Sequence, residues 1–459
     1  MQKAINSWSK RDLTPFGKIV VIRTLIISKI VHILISLPTP SKKTMKKVNK
    51  MLYDFLWDGK PDKIKRDIAK HKLEKGGLNM IDIDFFDKAL KLTWIRRVIC
   101  GKQKWKDIAC LLYPNIDKIK NFGNVFVKKI SQEIDNSFWS NVMEYLSEFI
   151  CKCKISNLEE LHSSSFLFNS NFKIDNKVID NIVLINNGIF FIHQLMDGDS
   201  FLSHNEFIQK YNLNLDFLTY HSIVSCIKSN VSFDELEESY KTLKYPPAYS
   251  IILKDKKGAS NIYQKFLTDY FDCKGKIKWI NLTGISDDEW IGSFTLLKRT
   301  TFDTKLRWLQ FRIIHHILTT NRSVSKFNKE QNHLCQFCKK ESETIQHLLW
   351  QCEIVNIFWK NLTNLINKKC PHSTNIRIDE KLALFGFSDS IFTDRVFDLI
   401  LLLSKLYIYR CKVQDIDLNV KCFLKDIYMR YCVEKRVYKN SIKFQNDWQP
   451  YLNLLKGLI

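Results

Sequence analysis

Four residues of metal-binding type fall within eighteen positions, as Cys335-x2-Cys338-x8-His347-x4-Cys352. Two thiols separated by two residues can turn around one ion. A histidine and a third cysteine complete a tetrahedral donor set with no open position, so the pattern predicts one structural zinc rather than a hydrolytic one. His347 and Cys352 are five residues apart and do not share a helical face, so a helix start or a short irregular turn must bring them together. The competing reading is a set of buried reduced thiols beside an ordinary histidine. His333 is a weaker ligand candidate because it precedes Cys335 by only two residues.

The rest of the chain predicts helices. It has 459 residues with only 14 glycines and 9 prolines, too few for a strand-dense sandwich or barrel. The expected fold class is mostly α, with a basic helical region over 1–120, an acidic mixed region over 121–250, a helical zinc-binding domain over 251–370 and a helical region over 371–459. The net charge of +23 is unevenly spread: +16 over 1–120, −6 over 121–250 and +13 over 251–459. Two basic regions flanking an acidic one suit a polyanion, although a lysine-rich solvated surface would look the same. The start carries no apolar signal core, and Arg23, Lys29 and His32 break the most apolar stretch, Ile19 to Leu37. The chain is therefore expected to be intracellular, in cytoplasm or nucleus, with no membrane partner. Its remaining cysteines are expected to be reduced thiols, and Cys151-x-Cys153 lacks a nearby third ligand.

Along the chain, Thr14-Pro15 opens an apolar helical segment from Phe16 to Leu37, which Pro38 and Pro40 stop. A second helix is predicted from about Ser41 to Trp57. It has Met45, Val48, Leu52, Phe55 and Leu56 on one face and Lys42, Lys43, Lys46, Lys47 and Lys50 on the other. Gly76-Gly77 reads as a turn before a helix that includes Phe85, Leu92 and Trp94. Asn186-Asn187-Gly188 reads as a hairpin signal, Phe201–Leu218 as helical, and Tyr245-Pro246-Pro247 as a linker. Ser286-Asp287-Asp288-Glu289 has the form of a capping box, so its paired carboxylates are assigned to a helix start rather than to catalysis. A helix over Phe302–Leu318 follows, and another is predicted from Glu343 onward.

With these motifs placed, the chain resembles the C-terminal part of a LINE-type (non-LTR) retrotransposon reverse transcriptase. WSKRDLTPFGKIVVIRTLIISKI (Trp8–Ile30), Phe55–Pro61 and Gly76–Met80 resemble the region after the palm, including the thumb. KLRWLQFRIIHHILTTN (Lys305–Asn321), the Cys/His cluster and Phe358-Trp359 are similar to the family's zinc-binding segment. The resemblance covers less than half of the chain; the middle and the residues after 370 match loosely. It implies a parent protein that copies element RNA into DNA at a nicked chromosomal target. It also implies a thumb-like N-terminal region here and a polymerase segment upstream. The chain departs from that pattern where chemistry is concerned. Reverse transcription needs an aromatic-x-Asp-Asp hairpin and a further palm Asp to hold two metal ions, and the sole Asp-Asp pair here is Asp287-Asp288. No catalytic residue is assigned, and the chain is not expected to be an enzyme.

The expected function is nucleic-acid binding, with element RNA, target DNA or both as partners. Lys42, Lys43, Lys46, Lys47, Lys50, Lys60, Lys63, Lys65 and Arg66 are the candidates for a template–primer backbone. Arg307, Trp308, Arg312 and His315 are the candidates in the C-terminal unit, by charge or by stacking on bases. The alternatives are a protein-interaction module using the zinc unit and the apolar Leu399–Tyr409, or a decayed open reading frame of the same element.

Overall fold

The computed structural model describes residues 1–100, 104–114, 116–198, 200–231, 245–254, 258–267, 273–328, 330, 332–370, 376–386, 394–438 and 441–456. The fold is mostly helical, as expected; among the described residues the strands are two short antiparallel ribbons, Lys173–Ile174 with Lys177–Val178 and Met196–Asp197 with Ser200–Phe201. The chain packs as two units, and neither is one stretch of sequence. The first comprises Met1, Leu25–Leu52 and Ile81–Asp269; the second comprises Gln2–Thr24, Tyr53–Met80 and Tyr270–Ile459. No described helix is long and apolar enough to cross a membrane.

In the first unit, the helix Ile83–Cys100 presents Ala89, Leu92, Trp94, Ile95 and Val98 to the helices Ser137–Lys152 and Gly258–Phe266. Asn136 starts Ser137–Lys152 by accepting hydrogen bonds from the N–H groups of Phe138 and Trp139, which would otherwise be orphaned. Lys91 is fully buried here, but it is satisfied by Asp87 at 2.5 Å and by the Leu34 carbonyl at 2.8 Å. A second core of the same unit gathers Phe166, Phe172, Phe207, Tyr220 and Ile227.

Four local expectations are corrected. Phe201–Leu218 is not one helix: Phe201 lies in a ribbon, the helix His204–Tyr211 ends at Asn212 with φ +48°, and Asp216 starts a separate helix, Phe217–Asn230. Asn186-Asn187-Gly188 does not close a hairpin. The Asn181 side chain caps Val183 and Leu184, starting the short helix Ile182–Asn186, and Gly188 ends it at φ +72°. Tyr245-Pro246-Pro247 is not a linker, since Pro247 begins the helix Pro247–Leu253 and Pro247, Ala248 and Tyr249 are buried. The segment from Phe16 to Leu37 is not one helix. It runs as Pro15–Val21, a π turn over Ile22–Ile26, a 3-10 turn over Ile27–Lys29, and Val31–Ser36. Its consecutive β-branched residues crowd the preceding turn and weaken a continuous helix. The expected helix from Ser41 to Trp57 is present as Lys42–Trp57.

The second unit is organised on the helix Arg395–Gln414, which packs against Asp287–Thr300, Thr304–Ile314 and Val420–Val437. Helix Pro15–Val21 lies on Thr304–Ile314, where Phe16 meets Trp308 and Phe311 edge-on. The 3-10 turn Leu73–Lys75 packs on Asp287–Thr300 and leads into the glycine pair. Gly76 turns at φ +76°, and a Cβ on Gly77 would fall 2.0 Å from the His71 carbonyl oxygen, so only glycine fits. Arg395 holds the end of the chain by pairing with Glu434 at 3.0 Å and Asp447 at 2.7 Å, while Trp448 Nε1 donates to Glu434.

Candidate functional site

The Cys/His cluster is built by a short loop and two helix ends. Leu334 and Ser342 form an antiparallel bridge, and the Cys335 N–H donates to the Glu341 carbonyl at 2.7 Å. Between them the chain reverses at Lys339, which adopts φ +53° while its N–H closes on the Cys335 carbonyl. The second half uses the irregular turn that the spacing demanded. His347–Gln351 is a π turn, closed by the Cys352 N–H on the His347 carbonyl at 2.9 Å. Cys352 then occupies the N-cap position of the helix Glu353–Lys369.

The four ligand atoms lie within 4.8 Å of one another. Cys335 Sγ is 3.9 Å from Cys352 Sγ, and Cys338 Sγ is 3.4 Å from His347 Nε2. Zn–S and Zn–N bonds in a regular tetrahedron place two sulfurs about 3.8 Å apart and a sulfur and a nitrogen about 3.6 Å apart. The donor set therefore fits one zinc ion. Cys335, His347 and Cys352 are buried and Cys338 is half-buried.

The hydrogen bond between two of the sulfurs shifts them in opposite directions. Cys335 donates its S–H to Cys352, which lowers the Cys352 pKa, and the Val355 and Ile354 N–H groups at the helix start lower it further. The same hydrogen bond, with burial, raises Cys335, while the N–H groups of Cys338 and Phe337 pull it back. His347 Nδ1 lies 3.0 Å from Glu341 Oε2, although it forms no aligned hydrogen bond there. His333 is exposed and outside the cluster; exposed Cys151 and buried Cys153 also lie outside it.

Glu343 was not legible as a site residue. It is completely buried and accepts from Asn321 N at 2.7 Å and Gln336 N at 3.0 Å. It also pairs with Lys412 of the helix Arg395–Gln414 at 3.3 Å. The loop is thus tied to the core of its unit through one carboxylate. Nothing in the spacing marks Glu343, because two of its three partners, Asn321 and Lys412, are distant in sequence.

The basic candidates divide. Lys42, Lys43, Lys46, Lys47 and Lys50 are all exposed on Lys42–Trp57, opposite buried Met45, Leu52, Phe55 and Leu56. Lys60, Lys63, Lys65 and Arg66 are exposed on the following loop and helix start. Arg66 lies over Tyr53 and pairs with Asp62 at 2.7 Å. Arg307 is committed internally: it donates to the carbonyls of Thr301 at 2.6 Å, Leu297 at 3.2 Å and Lys298 at 3.4 Å, closing the end of helix Asp287–Thr300. Trp308 is half-buried, stacked on Phe311 and in contact with Trp57. Arg312 is half-buried beside Trp308 and Tyr409.

His315 is a core residue with no face for a base. It is buried, and its Nε2 meets the Gly76 carbonyl at 2.7 Å. Burial pushes its pKa down to about 4. Above pH 6.5 both folded and unfolded states carry it neutral. Below that value the unfolded chain takes up a proton that the folded chain refuses, so stability is lost as pH falls from about 6.5 to about 4. The loss is about 3 kcal/mol. His315→Gln is expected to flatten the acid limb of a denaturation-midpoint profile relative to wild type, a comparison in which proton competition at the metal ligands cancels. Parallel limbs would refute this.

Asp287 and Asp288 sit in the expected capping box: the Ser286 side chain accepts from Glu289 N, and the Glu289 carboxylate accepts from Ser286 N. Asp287 also pairs with Lys276 at 2.8 Å.

Residues 286–359 match a family model described as zinc-binding in reverse transcriptase. The matched stretch begins at the capping-box serine, contains all four cluster residues and ends at Trp359. This segment is thus a zinc-binding region of the kind associated with reverse transcriptases. Comparison with curated proteins gives no match.

Proposed function

We propose, with the reverse-transcriptase-associated zinc-binding segment as the premise, that this chain is the nucleic-acid-binding C-terminal portion of a LINE-type (non-LTR) retrotransposon reverse transcriptase. The carrying observation is the coincidence of the four-ligand cluster with the matched segment. In this reading one zinc is structural. With four protein ligands it has no position for water or substrate, and it fixes the loop and helix start on which the rest of the unit packs. The chain binds element RNA, target DNA or both through the phosphate backbone, with the exposed lysines of Lys42–Trp57 as the main basic face. It works inside the cell and has no polymerase or endonuclease centre of its own. That last point is supported by the sole Asp-Asp pair being at positions 287 and 288, in a helix cap.

The test is affinity for RNA and DNA duplexes and single strands across salt concentration. Binding near 50 mM salt that falls log-linearly as salt rises, with similar slopes for unrelated sequences, is the expected result. No binding at low salt, or binding with no salt slope, refutes the reading. Metal-dependent primer extension by the purified chain would refute the assignment of catalysis to another segment.

A further inference from the structure

Two cations that are far apart in sequence meet over one indole within the second unit. Lys63 Nζ lies 5.4 Å from the Trp308 ring centroid, and the Arg312 guanidinium carbon lies 5.9 Å from the same centroid. Arg312 also lies over Tyr409 at 5.4 Å. Among the described residues neither cation has a carboxylate within ion-pair distance, unlike the neighbouring Lys18, Arg66 and Lys412, which pair with Asp58, Asp62 and Glu343. Arg312 Nε is buried with no hydrogen-bond partner. Burial, and then repulsion from Arg312 and Lys60, holds the Lys63 ammonium below its ordinary pKa, with Asp58 offsetting only part of the shift.

A half-buried guanidinium crowded by a lysine and without a paired carboxylate is costly unless a ligand supplies the missing charge. Trp308 makes the arrangement tolerable, because ring quadrupoles attract cations; Arg312 also has a side-chain hydrogen bond with Tyr409, which leaves its Nε as the unsatisfied donor. Its face toward Phe311 is already stacked, so the indole serves the cations rather than a base. Lys63 is exposed and Arg312 half-buried, so the spot is open to solvent on one side. An ammonium beside a planar guanidinium suits oxygens of a phosphate chain.

We propose that Lys63 and Arg312, held on Trp308, form a discrete phosphate-binding spot that seats the backbone of the bound nucleic acid. This rests on the nucleic-acid-binding reading but goes beyond it. It names a second contact point in the zinc-bearing unit and assigns Arg307 and His315 no part in it.

The experiment measures the affinity of a fluorescent single-stranded RNA 20-mer and a DNA duplex from about 50 to 300 mM salt, for wild type, Lys63→Gln, Arg312→Lys, Arg312→Gln and the double variant Lys63→Gln/Arg312→Gln. Each lost contact is expected to weaken binding several-fold at low salt and to lower the log–log slope by about 0.7 to 0.9. Arg312→Lys is expected to keep the slope while losing affinity, because it keeps the charge and loses the fork. Tripolyphosphate is expected to compete with the RNA for wild type more than for Lys63→Gln. Lys63 is on the surface, so Lys63→Gln tests the spot even if Arg312→Gln does not fold. If Lys63→Gln binds with wild-type affinity and slope while glutamates at Lys42, Lys43, Lys46 and Lys47 abolish binding, the spot is refuted and the broader reading stands. If wild type binds neither probe, both fall.

Discussion

Cys335→Ser is expected to abolish stoichiometric zinc binding, taking metal content from about one ion per chain to near zero after gel filtration. The magnitude follows from the site's construction. Structural zinc sites hold their ion with apparent free energies of about 10–16 kcal/mol, and most of that depends on a complete, deprotonated donor set. Cys335 is 1% exposed and is the sulfur to which the Phe337 and Cys338 N–H groups point, so serine there loses the ligand and leaves that loop without its focus. Hydrogen exchange should then show lost protection from residue 333 through the start of helix Glu353–Lys369, because Cys352, at the N-cap position of that helix, is a ligand of the same ion. The helices of the first unit should keep their protection, since their cores contain none of these residues. Cys151→Ser, at an exposed thiol outside the cluster, should change nothing. Wild-type protein that carries no zinc under reducing conditions, or a Cys335→Ser protein that keeps it, would overturn the assignment.

The second large effect is expected from Lys42→Glu, Lys43→Glu, Lys46→Glu and Lys47→Glu combined. If all four lysines lie on phosphates, the log–log salt slope should drop by about 3 to 4, and affinity near 50 mM salt should fall by at least about a hundredfold. RNA and DNA of any sequence should suffer alike, because phosphates carry no base identity. The helix should survive. None of the four side chains is buried, the apolar face through Met45 and Leu52 is untouched, and glutamates near the start of Lys42–Trp57 suit its dipole. Circular dichroism identical to wild type with unchanged binding would remove this face from the interface. Loss confined to one sequence would mean base readout instead.

What could be read from the sequence was local. Helix Lys42–Trp57, the Ser286 capping box and the Cys/His cluster depend on spacing within one or two turns, and each is present. What could not be read depended on partners far along the chain. Arg307 looked like a free cation on a helix, yet it serves backbone carbonyls at the end of the preceding helix. His315 looked able to stack, yet the Gly76 carbonyl, more than two hundred residues earlier, claims its ring nitrogen. Pro246-Pro247 carried the usual sign of a linker, but the same proline rigidity starts a helix when an apolar surface is there to receive Ala248 and Tyr249. The His347–Cys352 spacing required an irregular turn, and only the structure shows it as a π turn.

The placement of Phe16 and the Gly76-Gly77 turn in the same unit as Phe311 and His315 has a consequence for synthesis. The first segments of this unit leave the ribosome with no partners and must wait for roughly 300 further residues. At about 5–20 residues per second that delay is roughly 15 to 60 seconds. Over that interval Phe16, Trp57 and Ile68 are unsheltered apolar side chains on a chain already long enough for its first unit to begin folding. Nascent-chain protection over residues 2–24 and 53–80 should therefore arrive late, after translation has passed the zinc loop. A fragment starting at residue 270 would lack the pieces that close its own core.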